Sequence, residues 1–313
     1  MKTLFYHAGA LGDFVTVLPA IRYWRVTHPR DSIVLLCRPS IGTIAVSSGY
    51  VDELWDASSL QFCPLFARDS GDAVKRLLFG IRRAICFADQ DSPVLHNLRK
   101  LKTVEILRQD PFPARRVTKF TFHLSLLTNN PGYAAHTSPL LFAPRVNLAD
   151  LSLPNRPLVI MHPGSGSQKK NWPLAKFAYV SDLLKRVGCS VLWIIGPVES
   201  SMTAPSGVRV IRNKELPYLL GVLSQGDLYL GNDSGISHCA AAAGCPSIVI
   251  FGPSDPVVWR PFGDNVTILY AGQDCSPCHG PDGCNPKPNC SSECLESITP
   301  YQVFAECRRV LSL

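Results

Sequence analysis

Side chains that could bind an anion are concentrated in the stretch "GNDSGISHCAAAAGCP", residues 231–246. The stretch lies between two apolar runs, and its polar turn leads directly into four alanines. This pattern predicts a strand, a sharp loop and a closely packed helix. The N–H groups of a first helical turn, together with the helix dipole, favour a phosphate there. Asp and Ser are also ordinary N-cap residues, so the stretch alone fits a well-capped helix equally well.

A second loop, "HPGSGSQKKNWP" at 162–173, carries groups suited to the same kind of ligand. It offers serine hydroxyls, glycines that allow close backbone approach, and a positive charge from Lys169 or Lys170. It lacks the spacing of a Walker A loop, which argues against simple nucleoside-triphosphate hydrolysis.

A third loop, "IIGPVES", places Glu199 three residues after Gly196. An acid at this point could accept hydrogen bonds from ribose hydroxyls, or could be a carboxylate favoured by a helix start. Taken together, the three loops predict a site for a nucleotide diphosphate. A diphosphate leaving group needs such a clamp because charge develops on it as its bond to the transferred group breaks.

The elements that must position these loops follow an alternating pattern of strands and helices. In the first half, a strand over residues 3–7 is followed by "HAGALGD" and a helix from Phe14, with Asp13 placed as its N-cap. A segment rich in Pro, Asn and Ser at 130–157 predicts a linker, after which the same pattern restarts. A chain of 313 residues suits two domains, and we expect both to be Rossmann-like.

The ordered set of motifs resembles glycosyltransferase family 9, the heptosyltransferases of lipopolysaccharide core synthesis. The motifs are "GALGD" followed by "LPAIR", then "HPGSGSQKKNWP", "GPVE", "NDSGISHCAAAAGCP" and "FGPSDP". The resemblance implies an α/β protein of the GT-B fold, with two facing Rossmann-like domains and a cleft between them. We expect an acceptor-binding domain at 1–152 and a nucleotide-sugar domain at 153–313, which ends in a helix at 299–311.

The resemblance also implies roles for particular residues. Asp13 matches the family's general base and Lys170 its diphosphate-binding lysine, in a reaction that inverts the anomeric carbon and requires no cofactor or metal. The other donor-binding positions that it implies are Ser165, Gly166 and Ser167 of the phosphate loop, the ribose-binding Glu199, and Asp233, Ser234, Gly235 and His238 of the diphosphate and sugar turn.

The predicted function is therefore transfer of a sugar, heptose from ADP-heptose, to an acceptor like the lipopolysaccharide core. Two alternatives share the donor loops: a nucleotide-sugar epimerase and a binding protein without turnover. An epimerase gives no reason for a basic first half, and the presence of both Asp13 and Lys170 argues against a protein without turnover.

Charge indicates the acceptor's chemistry. Of the net charge of +7, the stretch from Arg68 to Lys119 carries +6, since it has twelve Lys or Arg against six Asp or Glu. This favours an anionic glycolipid or saccharide acceptor, with peripheral contact to the inner membrane, over a solvated basic face. No RNA-binding signature accompanies the charge, so nucleic acid is not expected. The N-terminus meets Gly and Asp too early for a signal peptide, and we expect a cytoplasmic protein.

The twelve cysteines include five in "CSPCHGPDGCNPKPNCSSEC". Cys275, Cys278, Cys290 and Cys294 could ligate a structural zinc or iron as thiolates. Reduced thiols in a surface loop are the competing interpretation, since the spacing is looser than that of zinc ribbons.

Overall fold

Two parallel β-sheets organise the chain in a computed structural model, which describes residues 1–68, 71–130, 140–142, 145–151, 153, 156–278 and 292–313. Contacts divide the chain into a first unit, Met1–Pro113 with Lys119–His136, and a second unit, Ala114–Thr118 with Thr137–Leu313. The short segment 114–118 is held within the second unit by Arg116, whose guanidinium contacts both carboxylate oxygens of Asp255 at 2.6 and 3.1 Å.

The first unit contains five strands, β1 (Lys2–His7), β2 (Ser32–Cys37), β3 (Glu53–Asp56), β4 (Ile81–Phe87) and β5 (Glu105–Gln109). Its described helices are α1 (Leu11–Thr27), α2 (Pro39–Ser47), α3 (Cys63–Phe66), α4 (Gly71–Leu77), α5 (Pro93–Lys100) and α6 (Lys119–Leu124), with one 3₁₀ turn at Leu60–Phe62. The strand order is β3-β2-β1-β4-β5, and all pairs are parallel. The central strands are apolar and buried nearly throughout, as expected for a parallel sheet covered on both faces.

The second unit contains six strands, β6 (Leu158–His162), β7 (Ser190–Ile195), β8 (Arg209–Arg212), β9 (Leu228–Asn232), β10 (Ser247–Phe251) and β11 (Val266–Tyr270). Its described helices are α7 (Leu174–Arg186), α8 (Leu216–Leu223), α9 (Gly235–Ala242), α10 (Pro256–Trp259), α11 (Glu293–Glu296) and α12 (Pro300–Leu311), with 3₁₀ turns at Ala149–Leu151 and Gln168–Lys170. The order β11-β10-β9-β6-β7-β8 is parallel throughout and is that of a Rossmann sheet. The α/β class with two Rossmann-like domains is thereby confirmed.

This strand order fixes where each sheet can receive a ligand. In the second unit β6 and β9 are hydrogen-bonded neighbours at the centre of the sheet. The strands that follow β6 in the chain lie on one side of this pair, and the strands that follow β9 lie on the other side. In the first unit β1 and β4 occupy the equivalent central positions. Open α/β sheets bind ligands outside the carboxyl ends of such strand pairs, where the connections diverge. The loops after β6 and β9, and the loop after β1, therefore lie at the positions expected of functional loops.

The helix expected at 299–311 is α12, and its start explains why it forms there. Thr299 caps the helix by accepting a hydrogen bond from the Gln302 amide at 3.3 Å, while Gln302 Oε1 accepts one from the Thr299 amide at 2.8 Å. Pro300 at the first helical position completes this capping box. The helix packs on α7 and buries Val303 and Cys307 in the core of the second unit.

None of the helices in the described parts of the chain is both long enough and apolar enough to cross a bilayer.

Candidate functional site

One buried side chain, Asn232, joins the loops after β6 and β9. It is fully buried at the end of β9. Its Nδ2 donates to the carbonyl of Pro163 at 2.7 Å, and its Oδ1 accepts from the amide of Trp172 at 2.9 Å. Both ends of the loop 163–172 are thereby attached to the end of β9. Sequence reasoning missed Asn232, and the available signal was a buried amide side chain directly before the Asp-Ser-Gly turn.

The predicted Lys170 and Asp233 form an ion pair between these two loops. Lys170 Nζ lies 2.8 Å from Asp233 Oδ2, with the lysine side chain 23% exposed and the aspartate 5% exposed. Ser254, which sequence reasoning did not select, donates to the same carboxylate oxygen at 2.5 Å. Lys170 Nζ also lies 5.6 Å from the centroid of the Trp259 ring. These contacts hold a partly exposed cation at the carboxyl edge of the sheet.

Ser234 is the N-cap of α9, as the pattern of this stretch predicts. Its Oγ accepts from the amide of Ser237 at 3.3 Å, which satisfies one first-turn donor. The Ser237 hydroxyl donates in turn to the carbonyl of Asn232 and lies 3.0 Å from the Tyr229 hydroxyl. The first turn of α9 is therefore held next to Asp233, and its dipole favours an anion at Gly235. His238 lies in the same turn with its side chain buried.

The serines of the loop after β6 differ in their surroundings. Ser165 is buried, and its Oγ lies 2.6 Å from Asn171 Oδ1 and 2.7 Å from the carbonyl of Ser167. The Ser165 hydroxyl therefore shapes the loop from within. Gly166 is exposed and Ser167 half-buried, so these two residues present the outer surface of the loop.

Glu199 folds back onto the loop after β6. Its Oε2 accepts from the amide of Gly196 at 3.1 Å and lies 3.9 Å from His162 Nε2. A Cβ atom added to Gly164 would lie only 2.2 Å from Glu199 Oε1, so the carboxylate fills the space that this glycine leaves. Burial raises the pKa of Glu199 and lowers that of His162 to about 4. The histidine is therefore neutral near pH 7, and the contact is not an ion pair.

The second unit thus brings a cation, a helix N-terminus and an acid to the carboxyl ends of β6, β9 and β7. Lys170 and the start of α9 suit phosphate oxygens, because an ammonium forms charge-assisted hydrogen bonds and the helix supplies N–H donors. Glu199 can accept hydrogen bonds from hydroxyl groups. The arrangement suits a ligand that combines a diphosphate with a sugar.

In the first unit, Asp13 lies in the first turn of α1 and is not its N-cap. The helix begins at Leu11, its N-cap is Ala10, and the prediction that Asp13 caps a helix starting at Phe14 is wrong. The reason is that the chain becomes helical directly after the glycine turn, and Asp13 Oδ2 accepts from the Ala10 amide at 3.2 Å from the third helical position. Asp13 Oδ1 forms an ion pair with Lys119, a buried residue of α6 that sequence reasoning also missed.

The environment of Asp13 keeps its carboxylate charged. Burial by itself raises the pKa of Asp13, but the charge and hydrogen bond of Lys119 outweigh it, so that the pKa lies below its ordinary value. Burial lowers the pKa of the neighbouring His7 to about 4, which leaves that ring neutral. A Cβ on Gly9 would lie 2.9 Å from His7 Cε1 and 3.0 Å from Asp13 Cβ, so Gly9 lets the turn pass between them.

The predicted metal ligands are only partly described. Cys275 is exposed, Cys278 is half-buried, and Cys294 lies in the hydrophobic core of the second unit. Cys290 lies outside the described residues. Within the described ranges, no group of three or more His, Cys, Asp or Glu side chains is arranged to hold a metal ion. A structural zinc or iron stays a prediction.

Part of the chain matches a known protein family. The model of glycosyltransferase family 9 (heptosyltransferase) matches residues 134–287. The lipopolysaccharide heptosyltransferase 3 of Escherichia coli is 29% identical over 124 residues, which cover 36% of this chain and 36% of that protein. The match therefore spans about a third of that relative.

Two solved structures are similar along the whole chain. A glycosyltransferase family 9 protein of Veillonella parvula has a TM-score of 0.77 at 16% identity, covering 99% of this chain and 97% of its own. The E. coli ADP-heptose lipopolysaccharide heptosyltransferase II has a TM-score of 0.72 at 16% identity, covering 100% and 99%. These likenesses confirm the expected GT-B fold class.

Gly164→Ala should destabilise the second unit, because its Cβ must displace the Glu199 carboxylate. We expect the free energy of unfolding in urea to fall by about 1–3 kcal/mol. Gly166→Ala is the matched control, since nothing lies within 4 Å of a Cβ at that position. The control should stay within about 0.5 kcal/mol of the native protein. Equal stability of the two variants would contradict the packing of Glu199 against Gly164.

Proposed function

We propose that this chain, whose residues 134–287 match the model of glycosyltransferase family 9, transfers heptose from ADP-heptose to a lipopolysaccharide-core-like acceptor, with inversion at the anomeric carbon. The observation that carries this proposal is the Lys170–Asp233 pair at the start of α9, on the carboxyl edge of a Rossmann sheet. We assign donor binding to the C-terminal domain, 153–313, and acceptor binding to the N-terminal domain, 1–152.

In this proposal the donor's diphosphate binds at Lys170 and at the first turn of α9. Cleavage of the sugar–phosphate bond leaves negative charge on the diphosphate, and the Lys170 ammonium and the helix dipole stabilise that charge. Asp233, which accepts hydrogen bonds from Lys170 and Ser254, is assigned to the sugar end of the same turn. Glu199 accepts hydrogen bonds from ribose hydroxyls. No step of this reaction requires a metal ion.

Asp13 serves as the general base. The acceptor's hydroxyl proton moves to the Asp13 carboxylate, and the hydroxyl oxygen bonds to the anomeric carbon from the face opposite the diphosphate. The bond between that carbon and the diphosphate oxygen breaks, and its electron pair leaves with ADP. Asp13 suits this role because its carboxylate is charged and its side chain is 24% exposed.

Lys170→Ala is expected to weaken ADP binding by about 10- to 100-fold, the loss of one charge-assisted contact. The loss includes repulsion from Asp233, which the variant leaves without its lysine. Calorimetric titration with ADP measures this, and Lys169→Ala is the control, because Lys169 is exposed on the same 3₁₀ turn. A similar loss of ADP affinity in both variants would mean that the effect comes from the net charge of the loop, and would remove Lys170 from the proposed site.

Asp13→Asn should reduce the transfer rate by at least about 100-fold, because an amide cannot accept the acceptor's proton. The assay follows heptose transfer from ADP-heptose to a lipopolysaccharide core acceptor, and ADP affinity should be retained. Asp31→Asn is the control, since Asp31 makes structural contacts with Thr3 and Trp24 in the same unit. It should transfer at a rate close to native where both variants are folded. A near-native rate for Asp13→Asn would end the assignment of the base.

The proposed acceptor is a glycolipid, and one surface of the first unit suits the anionic bilayer that would carry it. Phe79 follows α4 and is 88% exposed. Arg76 and Arg82 flank it, are exposed, and have no ion-pair partner among the described residues. An exposed aromatic ring flanked by cations can insert at the headgroup level of an anionic membrane.

Phe79→Ser should reduce cosedimentation of the full chain with vesicles of phosphatidylglycerol and phosphatidylethanolamine. Val198→Ser is the matched control, because Val198 is 79% exposed but belongs to the second unit. Binding should also fall as salt is raised, since the flanking arginines act through screened charge. Equal losses in the two variants would argue against this surface.

A further inference from the structure

Lys119 is a buried lysine, a residue type that rarely lies inside a protein without a partner. It is 1% exposed at the start of α6, and its ammonium forms an ion pair with Asp13 Oδ1. The Nζ atom also lies 4.5 Å from the centroid of the Phe112 ring. Burying an ammonium is costly unless a counter-charge and hydrogen bonds compensate it. The stability of this part of the first unit therefore depends on the carboxylate of Asp13.

The Asp13 carboxylate is held at both oxygens. Oδ2 accepts from the Ala10 amide at 3.2 Å, and Oδ1 contacts Lys119. These two contacts come from the N-cap residue of α1 and from α6, which packs against α1, and they fix the plane of the carboxylate while the side chain stays 24% exposed. Lone pairs of both oxygens remain available to an incoming hydroxyl.

Other titratable and charged groups face this pair from the neighbouring elements. His7 on β1 and His123 on α6 are buried, and burial lowers the pKa of His7 to about 4 and that of His123 well below its ordinary value. Both rings are therefore neutral near pH 7. Arg38, before α2, donates to the carbonyl of Gly9 at 2.8 Å. Among these groups, Lys119 is the cation in direct contact with the carboxylate.

We propose that Lys119 is a positioning residue for the base, holding the Asp13 carboxylate charged and in a fixed orientation through their buried ion pair. This inference rests on the proposed function, since it assigns a partner to the base of that reaction. The ion pair has two opposing consequences. It keeps the base in its reactive form at low pH, and it makes the carboxylate a weaker acceptor of the hydroxyl proton.

Replacing Lys119 should change the pH at which the Asp13 carboxylate becomes protonated. In the native protein the pKa of Asp13 is lowered, so its carboxylate stays ionised to a lower pH than that of an ordinary aspartate. In Lys119→Met the lowering contribution is lost while burial still raises the pKa. The carboxylate should then protonate at a pH higher by about one unit or more, because a charge-assisted contact typically shifts a pKa by that much.

The experiment measures this titration in two ways. Carbon-13 NMR follows the Asp13 carboxyl signal of the full chain against pH, with the signal assigned by its absence in Asp13→Asn. The acid limb of kcat/KM for heptose transfer is measured in parallel. We expect both to move upward in Lys119→Met and to stay near the native position in Lys119→Arg, which keeps the charge.

The outcomes separate this inference from the proposed function. An unmoved carboxyl titration in folded Lys119→Met overturns the role of Lys119, as does a raised KM for the acceptor with an unmoved acid limb. If the carboxyl titration moves but Asp13→Asn still transfers heptose, the coupling between Lys119 and Asp13 is supported and the role of Asp13 as the base is overturned. If Lys119→Met does not fold, the double variant Asp13→Asn/Lys119→Met removes both charges of the pair. The double variant should fold and regain the unfolding temperature of the native protein. Failure to do so contradicts the buried pair.

Discussion

The pairing of β6 with β9 is the constraint on which the rest of the second unit depends. Because these two parallel strands are neighbours, their carboxyl ends place the loops that follow them side by side. Asn232 turns this proximity into a fixed arrangement by bonding to the backbone of Pro163 and Trp172. An ion pair between Lys170 and Asp233 can form only once the two loops are held in this way. The position of this ion pair is therefore a consequence of strand order first and of side-chain chemistry second.

Within the described residues, each unit has a lysine–aspartate pair near the end of a central strand, and the buried member is the aspartate in one pair and the lysine in the other. In the second unit Asp233 is buried and Lys170 is partly exposed, so the cation is the member that solvent can reach. In the first unit Lys119 is buried and Asp13 is partly exposed, so the carboxylate is the member that solvent can reach. In each pair the buried member supplies a counter-charge to a partner that stays partly exposed. A buried counter-charge therefore stabilises the partly exposed cation in one unit and the partly exposed carboxylate in the other.

The basic character of the first half is less uniform in the structure than along the chain. Arg83 and Arg108 form ion pairs with Glu105 and Asp110, and Lys119 is buried. Partly exposed pairs of this kind contribute little net field, since opposite charges lie within contact. Arg76 and Arg82, beside the exposed Phe79, are exposed and have no ion-pair partner among the described residues, so their charge is available to a partner. Counting charges along the sequence indicated a basic partner surface but not which part of it is accessible.

Sequence patterns are enough to predict the α/β class, the alternation of strands and helices, and the three loops that follow β6, β7 and β9. These features are local: apolar runs, glycine turns and caps such as Ser234 act over a few residues. Tertiary structure alone decided that Asn232 joins two loops, that Ser254 contacts Asp233, and that Lys119 pairs with Asp13. The last of these contacts links residues 106 positions apart, and no local pattern encodes it. A side chain's partner across such a separation depends on which strands pair and which helices pack between them, and that is settled only when the chain folds.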